Sequence, residues 1–153
     1  PTALPDDTHQ QILRKNEAGG SDNGIELQVA PGDKFMTSVG CYQCNELYSE
    51  EITGHKWYHV VVVRTDSKLL LYVNSVLHDE KNITTSDLSN SDDLYIGKDP
   101  YHSSEYFEGS MDDLRMWSRA LNSSEIADIY DDYEKNPLMS KLGLREILKI
   151  SKE

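Results

Sequence analysis

The alternation of apolar and polar positions along the chain predicts a series of short strands and one helix. Ile25–Val29 (I-E-L-Q-V) alternates as a half-buried strand does, and Pro31-Gly32-Asp33 supplies a tight turn before a returning strand over Lys34–Val39. Residues 1 to 9 read as a loop and Gln10–Lys15 (QQILRK) as a shorter strand. The intervening NEAGGSDNG, rich in Gly, Asn and Asp, is turn chemistry. The strongest strand is Lys56–Thr65, KWYHVVVVRT, whose valines at 60 to 63 put β-branched side chains on both faces. Both faces are therefore expected to be covered. Asp66-Ser67 turns the chain into Lys68–Asn74, with Leu69, Leu71 and Val73 on one side. Asn74-Ser75 fits a two-residue hairpin turn, although Gly is more usual than Ser at its second position. Leu94–Gly97 reads as a strand between two polar loops, Lys81–Asp92 and Lys98–Glu105.

The stretch EYFEGSMDDLRMWSRALNSSEI, residues 105 to 126, combines a strand with a helix start. In a strand over Ser110–Trp117, Asp112, Leu114 and Met116 share one face, and Met111, Asp113, Arg115 and Trp117 the other. With Leu114 and Met116 as core residues, Asp112 points inward, where a carboxylate is costly unless a cation or several N–H donors meet it. Asn122-x-x-Glu125 has the form of a capping box, and SEIADIYDDY then gives one short helix burying Ile126 and Ile129. Asn136-Pro137 ends it. Beyond lie Leu138, Leu142, Leu144, Leu148 and Ile150 with Lys and Arg between them, so residues 135–153 read as a basic amphipathic tail, helical in part, or a linker. Docking on another domain is favoured for it over membrane contact.

Seven or eight short strands with closely spaced turns and one helix near the end predict an all-β fold, an antiparallel β-sandwich over residues 1–134. The length, 153 residues with 37% hydrophobic, suits one such domain. Net charge is -12, which argues against nucleic acid and anionic membrane surfaces as partners, because both need a basic footprint. The charge is uneven: from Lys135 onward five Lys/Arg stand against two Asp/Glu, a net +3, and residues 1 to 134 hold 10 against 25, a net -15. No apolar run is long enough to insert in a membrane. The chain starts at Pro1 without an initiator Met or signal peptide and reads as a processed or excised segment.

Cys41 and Cys44 form C-x-x-C in GCYQCNELY, outside the strand-to-helix setting of a redox motif, and no histidine spacing completes a zinc site. A small disulfide clip, two free thiols or a bond to another chain remain, with the clip favoured. Asn82-Ile-Thr84 and Asn122-Ser-Ser124 match the N-glycosylation pattern, which with paired cysteines suggests an oxidising, extracellular setting, secreted or the ectodomain of a membrane protein.

Five segments then occur in order: G-x-K-W-Y-H-V-V-V at 54–62, L-L-Y-V-N-S-V at 70–76, L-Y-I-G-K-D at 94–99, F-E-G-S-M-D-D-L-R-M-W at 107–117 and R-A-L-N-S-S-E-I at 119–126. Together they resemble the laminin G-like jelly-roll domains of the concanavalin A-like lectin/glucanase superfamily, to which pentraxins also belong. The resemblance covers about residues 10 to 134 and departs from the family at Ser75, where Gly is usual. It implies a jelly roll whose first strands, upstream of QQILRK, are missing here or supplied by another chain. It also implies a Ca²⁺ at the sandwich edge, with ligands from an early strand that this sequence lacks and from Asp112. Asp99 and its loop carbonyls are further candidates beside that implied pair, and the alternative is a structural Asp112 that ties down a neighbouring loop.

Catalysis is not expected. Retaining glycosidases hold two carboxyls about 5 Å apart. The E-x-D-x-x-E pattern that supplies them is absent, and the adjacent Asp112 and Asp113 point to opposite faces. The expected function is non-catalytic recognition of a glycan, with adhesion to an extracellular protein as the alternative. Tyr101, His102 and Tyr106, clustered before the last strand, are the candidate ligand-binding residues. Tyr42 and Tyr48 flank the cysteine turn as further exposed aromatics.

Overall fold

The computed structural model of the protein describes residues 8–15, 24–40, 45–84, 87–135 and 149–152. Two five-stranded antiparallel sheets stack on one another, as the alternation predicts. The first comprises β1 (Gln10–Lys15), β2 (Gly24–Ala30), β3 (Lys34–Gly40), β4 (Glu46–Glu51) and β8 (Tyr95–Ile96), ordered β4-β3-β2-β1-β8. The second comprises β5 (Trp57–Arg64), β6 (Lys68–Val73), β7 (Val76–Asn82), β9 (Gly109–Asp112) and β10 (Lys149–Lys152), ordered β7-β6-β5-β10-β9. One helix, α1 (Ser123–Lys135), follows β9.

The inner faces meet in a core of Ile12, Leu27, Val29, Phe35, Val39, Leu47, Val60, Leu69, Leu71 and Val73. On the outer face of the second sheet, Val61, Val63 and Tyr72 pack with Leu121 and Ile126. Thus β5 is covered on both faces, which is why it can carry four valines in a row. The capping box forms as read: Asn122 Oδ1 accepts from Glu125 N–H at 2.9 Å, and Glu125 Oε2 accepts from Asn122 N–H at 2.9 Å. Arg119 also grips Glu125 with two bonds of 2.6 and 2.9 Å, and the carboxyl is pushed down to about 2, first by these bonds.

Three sequence expectations are corrected. Asp112 does not point inward. Met111 packs against the core, so the next residue faces the other way, and Asp112 is exposed. The strand then ends, because Asp113 takes a left-handed backbone (φ 59) that Asp tolerates better than most residues. Without continued alternation Leu114 and Met116 leave the core, at 36% and 62% exposure. At the tail, Lys149 and Ile150 are in a strand and not a helix. β10 lies between β5 and β9, and Ile150 stands in register with Tyr58 and Met111, both at the core. Cys41, Cys44 and tail residues 136–148 lie outside the described residues.

Candidate functional site

The loop from Gly97 to Phe107 leaves β8 and returns towards β9. Its base is fixed by backbone bonds: Gly97 N–H donates to Ile12 O at 2.8 Å, and Phe107 N–H to Gly97 O at 3.0 Å. Gly97 has φ 75, and a Cβ built there would stand 3.2 Å from Met111 Cε, so both its conformation and its neighbour suit glycine. Within the loop, Asp99 N–H donates to Glu105 O (3.1 Å) and Glu105 N–H to His102 O (3.3 Å).

Asp99 is the buried acid of this region, with 0% of its side chain exposed. Its Oδ1 accepts from Tyr101 N–H at 2.7 Å. Its Oδ2 meets Arg14 Nη1 from β1 and lies 3.0 Å from His102 Nδ1. Burial disfavours the charged carboxylate, but the bonds from His102 and Tyr101 N–H and the charge of Arg14 outweigh it and hold Asp99 below its ordinary range. The bond to Asp99 raises His102, and Glu105 is raised by burial first, with the charge of Asp99 adding to it. Arg14 also lies 3.9 Å from Glu26 Oε2 and 5.5 Å from the centroid of the Tyr101 ring. Glu26 Oε1 in turn accepts from Ser38 Oγ at 2.8 Å.

Pinned in this way, the loop presents Tyr101 (41% exposed), Tyr106 (55%) and the His102 ring to solvent. The three residues nominated from the sequence therefore share one loop. Of the nominated metal residues, Asp99 belongs to a cluster of His and acids and Asp112 does not. Among the described residues the one group of His and acids with ligand atoms mutually within 4.8 Å is Asp99, His102 and Glu105, and Asp112 is not part of it. Arg14 and Glu105 were missed by sequence reasoning. Arg14 sits in a strand 85 residues earlier, and Glu105 looked like an ordinary loop acid; the i, i+3, i+6 spacing of Asp99, His102 and Glu105 was the available signal.

The sequon residue Asn82 is exposed at the end of β7, and Asn122 is the exposed helix cap. Among the described residues no helix is long and apolar enough to cross a membrane.

A laminin G-type family model described as "Concanavalin A-like lectin/glucanases superfamily" matches residues 1–127. The comparison with curated proteins returned no match. A solved structure of an S-layer domain-containing protein from Clostridium thermocellum is similar at 26% identity and TM-score 0.47. That match covers 83% of this chain, which spans 65% of that structure's length.

Proposed function

The chain belongs to the laminin G-like branch of the concanavalin A-like lectin/glucanases superfamily, a family of carbohydrate- or protein-binding modules, and on that premise we propose that it is an extracellular module that recognises glycans through the Gly97–Phe107 loop without cleaving them. The observation that carries this reading is the display of two solvent-facing tyrosines and an imidazole on a loop anchored by a buried ion pair. Sugar rings present C–H faces that stack on aromatic rings, and their hydroxyls take bonds from nearby polar groups. Anchoring the loop beforehand lowers the ordering cost of binding.

The carboxyl pair supports the non-catalytic reading. Asp99 and Glu105 approach within 4.8 Å, near the spacing of about 5–5.5 Å in retaining glycosidases. A nucleophile must reach the sugar, however, and Asp99 has no exposed side-chain surface and is held by Arg14, His102 and Tyr101 N–H.

A second reading, adhesion to an extracellular protein, is favoured by the exposed Leu114, Met116 and Trp117, since protein interfaces are enriched in Met and aromatic residues. A glycan array probed with the wild-type protein and with Tyr101→Ala and Tyr106→Ala separates the two. Binding to defined glycans that both substitutions weaken is the expected result. Silence on the array with capture of a protein that depends on Met116 and Trp117 would replace it with the adhesion reading. Release of sugar from a polysaccharide would overturn both.

A further inference from the structure

Asp99, His102 and Glu105 occupy one turn of loop, with Asp99 buried at its base, Glu105 half-buried and His102 at the surface. This grading of burial is what an ion site open to solvent on one side requires. Inner ligands are fixed, and outer positions are left to water or to a bound molecule. We propose that these three side chains bind a divalent transition-metal ion of the Zn²⁺ type. The inference goes beyond the recognition function and does not depend on it.

Geometry is the first argument. Two donors held about 2.0–2.1 Å from one ion stand roughly 2.9–3.4 Å apart. His102 Nδ1 and Asp99 Oδ2 are 3.0 Å apart, so an ion can replace the proton between them with little movement of either group. The Glu105 carboxylate already lies within 4.8 Å of both, and a change of side-chain rotamer is a small step for a residue on the same loop. The backbone bonds from Asp99 N–H to Glu105 O and from Glu105 N–H to His102 O hold the three Cα atoms in this arrangement with or without an ion.

The acceptor count is the second argument. An ionised carboxylate offers about four lone-pair sites. Tyr101 N–H, Arg14 and His102 account for three contacts on Asp99, and exchanging the His102 proton for a metal leaves the other two intact. Charge is the third. Asp99 and Glu26 flank Arg14, and Glu105 lies beside Asp99, so the group holds three negative charges against one positive charge. A dication brings the group to neutrality, which a buried carboxylate favours.

The imidazole decides the kind of metal. Nitrogen ligands suit Zn²⁺, Ni²⁺ and Cu²⁺, whereas Ca²⁺ takes six to eight oxygens. The site is therefore expected to prefer Zn²⁺ to Ca²⁺, in contrast to the Ca²⁺ that the family resemblance implies.

The test uses the full chain carrying Cys41→Ser and Cys44→Ser, so that thiols do not contribute. Zn²⁺ alone is titrated by calorimetry against this protein and against further variants with His102→Ala or Glu105→Gln, each checked for an unchanged circular dichroism spectrum. One-site binding that each further substitution weakens by at least about tenfold, and that excess Ca²⁺ leaves unchanged, is expected. In the parent the ion should also raise the melting temperature by linkage, an effect lost with His102→Ala. The proposal is overturned if the parent does not bind Zn²⁺, if His102→Ala and Glu105→Gln bind as the parent does, or if Ca²⁺ displaces the ion. None of these results bears on glycan binding measured in chelator, so the two ideas fail separately.

Discussion

Asp99 shows how one residue can hold a binding loop in place. Removing its charge by Asp99→Asn would take from the largely buried Arg14 the carboxylate it pairs with and weaken the bonds to His102 and Tyr101 N–H. Loss of one partner of a largely buried pair is expected to cost about 2–4 kcal/mol, read from urea unfolding, and to make the loop more sensitive to protease. An unchanged unfolding midpoint would show that Asp99 does not anchor the loop. His59 gives a pH dependence. It lies buried in β5 with its ring stacked on Tyr130, and burial, reinforced by the charge of Arg115, pushes it down to about 4. Its ordinary value is about 6.5, so between pH 6.5 and 4 the unfolded chain binds the proton and the folded chain does not. Stability is therefore lost as pH falls through this window, by on the order of 3 kcal/mol at its lower end. Unfolding midpoints at pH 7 and 4.5 should diverge more in wild type than in His59→Leu, and parallel shifts would refute the assignment. At this scale the sequence was only partly legible. Tyr101, His102 and Tyr106 could be placed on one loop because they are near neighbours in the chain. The buried acid was assigned to Asp112 because alternation was carried past Asp113, whose left-handed φ follows the end of the strand, a break that no period-2 pattern reveals.

Among the elements, those with strong alternation or strong caps were legible, and those held chiefly by their neighbours were not. β4 (ELYSEE) buries only Leu47 and Ser49, and β7 (VLHDEKN) buries no side chain fully, so neither announces itself by apolar pattern. Both exist because adjacent strands complete their ladders, and side chains of β7 reach the β4 backbone: Asp79 Oδ2 accepts from Tyr48 N–H and His78 Nδ1 from Glu50 N–H, at 3.0 and 3.2 Å. The turn between β6 and β7 was legible, including its flaw. Asn74 and Ser75 both have positive φ, 50 and 65, as a type I′ hairpin turn requires. Asn74 offsets its strain by accepting a bond from His59 N–H, while Ser75 has only the strain. Ser75→Gly is therefore expected to stabilise the protein by about 0.5–1 kcal/mol, with a matching rise in melting temperature. The same substitution at Asn74 should not help, because it removes the bond to β5. If Ser75→Gly lowers the midpoint, the turn is not the strained element it looks to be.

For the molecule as a whole, two stacked sheets were legible because sheet faces are recorded in period-2 alternation, but the order of strands within them was not. Strand order depends on pairings between distant segments, and nothing local in KISK marks it as an inner strand. Yet β10 is placed where the second sheet can least spare it. Three of its residues pair with β5 and four with β9, so it is the bridge by which β9, and the loop leading into it, join the rest of the sheet. Removing residues 149–153 would strip β5 of one hydrogen-bonding neighbour and leave Gly109–Asp112 without a paired strand. Unsatisfied backbone groups there would turn to water, and Met111 would lose the anchor that keeps it against the core. The truncated chain should therefore show fast amide hydrogen exchange at Gly109–Asp112 and on the free edge of β5, while β2 and β3, at the centre of the other sheet, keep their protection. Weaker presentation of the Tyr101 loop should follow, because Gly97 packs on Met111. Slow exchange in β9 after the truncation would mean that this strand is held from its other side, and that the order β5-β10-β9 is wrong.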